Sequence, residues 1–309
     1  MQPNIKIKVL GIGGSGGNTI SRMMKAKIKG VELIAINTDI QDLNKIQAHK
    51  KIRIGRNLTK GLGTGMNPEI GRAAAEEQKE EIKKELLDCD LLFIAGGLGG
   101  GTCSGASPFV AELAKSLGIL TIAVVTRPFS FEGVKRLEIA KNSEKTLKEK
   151  VDSLIVISND KLLSVLDPNI TVLNAFWKCD EILMQAVSGI SDLIVLPGII
   201  NIGFADIKAI MKNSGAALFG MGWAKGEKRA EEAIRMALNS PLLDISYKGA
   251  KGVLFNISGG KDISLNEVDE IAKIVTKEIS PEAKVIFGAI CDEKLPKGEI
   301  KVTVIATGF

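Results

Sequence analysis

The chain has 309 residues, 45% apolar and 25% charged, and 41 basic against 36 acidic residues give a net charge of +5. At roughly 150 residues per domain this is about two domains, long enough to bury a core without disulfide staples. The charges interleave, as in KEEIKKE at 79–85, which describes a solvated surface and no nucleic-acid partner.

In chain order, residues 6–10, 32–37, 91–95, 120–126 and 154–158 read as buried strands. Residues 18–27, 68–87, 108–117 and 133–150 between them carry helical spacing. Pro68 and Pro108 suit the first turn of a helix, where a missing N–H is no loss. This alternation predicts an α/β domain, a parallel sheet covered by helices on both faces, with ligands at the carboxyl ends of its strands. Residues 170–190 then read as one long helix. Strands at 216–220, 252–257, 284–289 and 300–306, with helices at 228–238 and 265–279, predict a smaller α+β domain. The expected organisation is a Rossmann-like domain over 1–168, a central connecting helix over 169–192 and an α+β domain over 193–309.

Several chemistries drop out. The four cysteines, Cys89, Cys103, Cys179 and Cys291, form no CxxC pair, so reduced thiols in a cytoplasmic protein are expected. His49 is the only histidine, which argues against a histidine-based metal site, triad or acid–base pair. No metal-ligating set is expected. The longest uncharged apolar stretch, at 193–204, falls far short of the ~20 residues that span a bilayer. The N-terminus has no apolar core followed by a small-residue cleavage site.

Two glycine clusters each follow a strand. GIGGSGGN at 11–18 fits GxGxxG opening a helix, and Asp39 ends the next strand. Taken alone, that pattern also fits a nicotinamide-dependent oxidoreductase or a tight turn without a ligand. The second cluster, GGLGGGTCSG at 96–105, is not explained by a dinucleotide fold, which needs one such loop. It is not a P-loop either, because no Gly-Lys-Ser/Thr follows. Two glycine loops at strand ends offer two sides of one phosphate cradle, with backbone N–H groups as an anion nest and Thr102 and Ser104 as hydroxyl donors.

With these motifs the sequence resembles the tubulin/FtsZ family of GTPases, and within it the bacterial cell-division proteins of the FtsZ type. GGSGGN, NTD at 37–39, GLGTGMNPEIGR at 61–72, GGGTCSG at 99–105, RPFSFEGVKR at 127–136, SNDKLL at 158–163, NIGFAD at 201–206, SPLLD at 240–244 and VTVIATGF at 302–309 follow that family's order and approximate spacing. The resemblance covers essentially the whole chain. It implies the tubulin/FtsZ fold, with 1–168 as the GTP-binding domain, and a cytoskeletal GTPase that binds GTP and GDP, with magnesium held through nucleotide phosphates and water.

The resemblance also implies residue roles. Gly13, Gly14, Ser15, Gly16, Gly17 and Asn18 are similar to the first phosphate loop. Gly99, Gly100, Gly101, Thr102, Cys103, Ser104 and Gly105 are similar to the signature loop around the β- and γ-phosphates. Gly65 lies in the segment similar to the γ-phosphate sensor, 61–67. Glu132 and Arg136 match the segment that reaches ribose and phosphates, and Asn159, Phe176 and Asp180 match the guanine site. A carboxylate there can accept from guanine N1–H and the N2 amino group together, a donor pair that adenine lacks. On residue type alone, Phe176 reads as core, Asp180 as a solvated helix residue, Glu132 and Arg136 as a surface pair and Asn159 as part of a helix cap. Their joint occurrence in family order favours the binding roles.

In the family, copies stack head to tail into the filaments of the division ring. A loop of the next subunit, here Asn201 to Asp206, completes the catalytic site. Asn201 and Asp206 are therefore the expected catalytic residues. Two positions depart from the family pattern. Gly203 stands where one of two loop acids is usual, and Cys103 stands where glycine is usual. Both departures fit slow hydrolysis, or a paralogue that binds nucleotide and assembles but hydrolyses poorly. Family members usually continue past the last strand to a peptide that binds membrane tethers. The chain ends at Phe309: either the sequence stops short of that peptide or the protein lacks it, and no direct membrane binding is expected from the residues present. The expected partners are other copies of the chain and division-ring accessory proteins, at mid-cell in the cytoplasm.

Overall fold

Apolar runs with no polar alternation suit strands covered by helices on both faces, and the first part of the chain is built of them. The computed structural model describes residues 5–164, 166–239, 247–292 and 295–309. The SPLLD segment at 240–244 lies outside them. The chain divides into two compact units, Met1–Ser188 and Gly189–Phe309.

In the first unit the strands are β1 (Ile7–Ile12), β2 (Val31–Asn37), β3 (Lys50–Arg53), β4 (Leu91–Gly97), β5 (Leu120–Arg127) and β6 (Ser153–Ser158). They lie in the order β3-β2-β1-β4-β5-β6, every neighbouring pair parallel. The winding reverses between β1 and β4, which opens a crevice beyond their carboxyl ends. All six residues of β1 are buried. Leu10, Ile12, Ile34, Ile94 and Val110 belong to one core cluster, almost wholly aliphatic.

The helices are α1 (Gly13–Lys25), α2 (Ile40–Lys45), α3 (Pro68–Glu77), α4 (Lys79–Leu86), α5 (Gly101–Ser116), α6 (Val134–Lys150), α7 (Asn159–Leu163) and the long α8 (Val172–Val195), which carries the unit boundary. A 3-10 turn spans Ser130–Glu132. Three of these differ from the sequence reading. Helix α1 starts at Gly13 rather than residue 18, and α5 at Gly101 rather than at Pro108. Both glycine clusters thus supply first helical turns. The stretch 68–87 forms two helices broken at Gln78, whose side-chain oxygen accepts from the Gly55 N–H. The short β3 and α2 were not anticipated; α2 is capped by Asp39, which accepts from the Asp42 N–H at 3.0 Å.

Close backbone approach explains the glycines. A Cβ on Gly16 would stand 2.5 Å from the Ala95 carbonyl oxygen, and one on Gly105 would stand 1.9 Å from that of Pro68. Helix α5 also tolerates Pro108 inside it. Proline has no N–H for the Ser104 carbonyl four residues back, and the Ser143 hydroxyl of α6 donates to that carbonyl instead, at 2.7 Å.

The second unit holds α9 (Phe204–Met211), β7 (Gly215–Lys225), α10 (Arg229–Leu238), β8 (Gly252–Gly259), α11 (Leu265–Thr276), β9 (Lys284–Cys291) and β10 (Glu299–Thr307). Its strand order is β7-β10-β8-β9, with β10 antiparallel to both neighbours and β8 parallel to β9. The core joins Ala233 and Ile234 of α10 and Ile271 of α11 to Phe255 and Val302. Arg229 is buried and bridges Asp262, at 2.7 Å, and Glu267.

Gly105→Ala should destabilise the protein by roughly 1–3 kcal/mol through overpacking of α3 against α5. Thermal denaturation reads this as a lowered Tm; an unchanged Tm would contradict the packing argument.

Candidate nucleotide site

The crevice at the switch point holds a cavity of about 430 Å³. Gly13, Gly14, Ser15 and Asn18 line it from α1. Gly97, Leu98, Gly100, Gly101, Thr102 and Cys103 line it from the end of β4 and the start of α5. Thr126, Pro128, Glu132, Arg136, Asn159, Phe176, Cys179 and Asp180 complete the wall.

Along one wall lie two helix starts. Neither α1 nor α5 has a side-chain cap, unlike α2 and α3, which are capped by Asp39 and Asn67. Uncapped N–H groups and the positive end of each helix dipole suit an anion. At Gly100 a Cβ would meet nothing within 4 Å, so a ligand can approach the backbone there. The hydroxyls of the signature segment are engaged internally. Thr102 Oγ1 lies 2.7 Å from Thr38 Oγ1, and Ser104 Oγ accepts from the Gly99 N–H at 2.9 Å. Ser104 keeps its own O–H proton but does not line the cavity, so Thr102 and the backbone amides are this segment's donors there.

Arg136 is the only cationic side chain among the described residues lining the cavity. Its guanidinium donates to Glu132 at 3.0 Å, and the other Glu132 oxygen accepts from the Phe129 N–H at 2.9 Å. This is a hydrogen-bonded pair on the cavity rim rather than an isolated surface pair.

Opposite lies an aromatic and carboxylate wall. Phe176 is 38% exposed rather than core, and meets Phe129 edge to face at 5.3 Å. Asn159 is buried, and its Oδ1 has no hydrogen-bond partner among the described residues. An orphaned buried acceptor is costly and fits a site whose donor comes from a ligand. Asp180 is also buried; its Oδ1 accepts from the Ser15 hydroxyl at 3.1 Å. Burial pushes its carboxyl up to about 6. A nucleobase with paired N–H donors would satisfy Asp180 and Asn159, so the residues present fit a guanine nucleotide.

Cys103 has no positive φ. Its Sγ packs toward β4, where a Cβ on Gly96 would stand 2.5 Å from it, and lies 3.4 Å from Ser107 Oγ. The side chain costs no left-handed strain at the cradle, and burial pushes its thiol up to about 11, so it stays neutral.

The remaining expected residues do not line this cavity. Gly16, Gly17, Gly99, Ser104 and Gly105 lie behind its wall and set helix packing and the turn into α5. Gly65 is exposed, with φ +54. Asn201 and Asp206 belong to the second unit, where Asn201 Oδ1 accepts from the Gly198 N–H at 2.7 Å and Asp206 Oδ2 from the Gly203 N–H at 2.9 Å. The sequence reading missed Gly97, Leu98, Thr126, Pro128 and Cys179 as lining residues. Cys179 could have been found from helical spacing, because it lies one turn after Phe176.

Two uncapped helix starts facing an aromatic and a buried carboxylate define a nucleotide-binding α/β protein. Residues 6–167 match the GTPase domain of the Tubulin/FtsZ family, and residues 215–309 the C-terminal domain of the FtsZ family. The chain belongs to the FtsZ family of tubulin-like GTPases, and has the corresponding fold and GTPase activity. It is 51% identical over 307 residues to cell division protein FtsZ 1 of Thermococcus kodakarensis, covering 99% of this chain and 82% of that protein. The FtsZ dimer structure of M. jannaschii is 47% identical with a TM-score of 0.93, covering 98% of this chain and 88% of that one. CetZ2 of Haloferax volcanii, solved as a GTPγS-bound protofilament, shares the fold at 22% identity and a TM-score of 0.82, over 98% of this chain and 92% of that one.

The raised carboxyl of Asp180 has a definite sign. For a base whose N–H donors meet Asp180, only the ionised carboxylate accepts the pair, so GDP affinity should fall as pH drops through about 6 and level off above it. Calorimetric titration across that range checks this, and a flat profile would contradict it.

Proposed function

We propose that this chain is an assembling GTPase whose hydrolytic site is shared between copies stacked head to tail in a filament. The observation that carries the reading is the state of the cavity's carboxylates. Glu132 is bound to Arg136, and Asp180 accepts from Ser15. Neither is placed as a free base for water, while the helix starts and the base wall supply binding. A catalytic acid from another copy completes such a site. A head-to-tail contact is heterologous and open-ended, so it produces filaments. The M. jannaschii dimer and the CetZ2 protofilament are similar proteins found in assembled form.

In this reading Gly13, Gly14, Ser15, Asn18 and Gly100 to Thr102 hold the phosphates through backbone N–H groups. Gly65 and its loop sense the γ-phosphate. Glu132 and Arg136 reach ribose and phosphates as a pair that stays hydrogen-bonded, and Phe176, Asn159 and Asp180 read guanine. Asn201 and Asp206 orient the attacking water on the neighbour's nucleotide, stabilising the charge that develops in the transition state. Magnesium, carried by the phosphates and water, offsets phosphate charge. The filament serves the cell-division ring with its accessory proteins, as the name of the Thermococcus relative suggests.

A second reading, a paralogue that binds and assembles but hydrolyses poorly, is favoured by Gly203 alone. Gly203 has φ -87 and ψ 164, an extended backbone open to any residue, and a Cβ there would meet only Asp206 Oδ2, at 3.5 Å. Gly203→Asp therefore fits sterically and should raise GTP turnover in assembled protein. Asp206→Ala should keep GTP affinity and lose roughly 10²-fold or more of turnover. Loss of GTP binding in Asp206→Ala would overturn the shared-site reading. An unchanged rate in Gly203→Asp would remove Gly203 as a cause of slow hydrolysis.

A further inference from the structure

Asp180 shares one face of α8 with Trp177, a turn earlier, and meets a face of α1 that carries Ser15 and Arg22. The Arg22 guanidinium carbon lies 5.4 Å from the centroid of the Trp177 ring, within range of a cation–π contact. Its Nε lies 3.7 Å from Asp180 Oδ2, beyond a hydrogen bond. That Nε is buried and has no hydrogen-bond partner among the described residues. An arginine so close to a carboxylate would ordinarily close into a bidentate pair and fill its oxygens. Here the cation lies over the Trp177 face instead.

We propose that Arg22 is a positioning residue for base recognition: held on Trp177, it stands beside Asp180 as a counter-charge at ion-pair distance, short of a bidentate pair, and leaves a carboxylate oxygen to the base of a guanine nucleotide. The inference rests on the nucleotide reading above. It accounts for a carboxylate that is both buried and available. Burial pushes the Asp180 carboxyl up, while Ser15 and Arg22 draw it back toward the ionised form. The other charged groups nearby do not take that role. Cys179, beside it on α8, is pushed up to about 12 and stays neutral. Glu132 is paired with Arg136 at 3.0 Å, and Lys178 with Glu181 at 2.7 Å.

GDP binding by calorimetry between about pH 5 and pH 8 tests this, on the full chain and its Arg22→Gln, Arg22→Lys and Trp177→Ala variants. Arg22→Gln removes the charge. Its binding midpoint should rise by about one pH unit or more, with weaker affinity at neutral pH. Arg22→Lys keeps the charge and should restore a midpoint close to the wild type. Trp177→Ala frees Arg22 to close on Asp180. Its affinity should fall while its midpoint moves down, opposite in sign to Arg22→Gln. An Arg22→Gln midpoint equal to the wild type, even with uniformly weaker binding, would reduce Arg22 to a structural role and overturn the inference. So would a Trp177→Ala midpoint that rises. Wild-type protein that binds no GDP at any pH would overturn the nucleotide reading itself, and this inference with it.

Discussion

Helix α1 lies so close to β4 that a Cβ on Gly16 would stand 2.5 Å from the Ala95 carbonyl oxygen, and α5 lies so close to α3 that one on Gly105 would stand 1.9 Å from that of Pro68. These backbone contacts bring two helix starts to one crevice, at the point where the sheet's winding reverses. Side chains at these positions would push the helices off their neighbours and pull the N–H groups apart. The glycines therefore act largely through packing. They place the cradle, and a smaller set, including Gly13 and Gly100, borders its space.

The opposite wall obeys a different constraint. Burying Asp180 raises its carboxyl to about 6, and the orphaned Asn159 Oδ1 carries a desolvation cost of its own. The Asp180 cost is offset in part by the Ser15 hydroxyl bonded to it and by Arg22 beside it, over the Trp177 ring. Groups that have lost water but lack a full set of partners discriminate strongly between bases, because a ligand without matching donors leaves them unpaired.

Much of this was legible in the sequence. Alternating apolar runs and helical spacing yielded the parallel sheet and the smaller second domain, since strands buried on both faces need no polar alternation. The two glycine clusters marked the strand ends that matter. Helix starts were less legible: glycine disfavours helix by propensity, and tertiary packing overrides that at Gly13 and Gly101. Pro108 marks a helix start by the usual rule, but a serine far off in sequence, Ser143, supplies the donor its ring cannot. Phe176 has the spacing of a core residue; the family resemblance, not periodicity, pointed to a cavity position, and the fold puts it there. Arg22 carried no motif signal, because its role depends on α8 packing against α1.

In the proposed function, a binding site built within one unit meets a catalytic acid from another copy. Such an enzyme cannot turn over efficiently as an isolated monomer, whatever its affinity for GTP. Phosphate release from GTP with magnesium, titrated against protein concentration, tests that claim most directly. A shared site gives a specific rate near zero below a threshold concentration and a steep rise above it. A specific rate that is constant from the most dilute protein upward would contradict the shared site and would require a complete catalytic centre within a single chain.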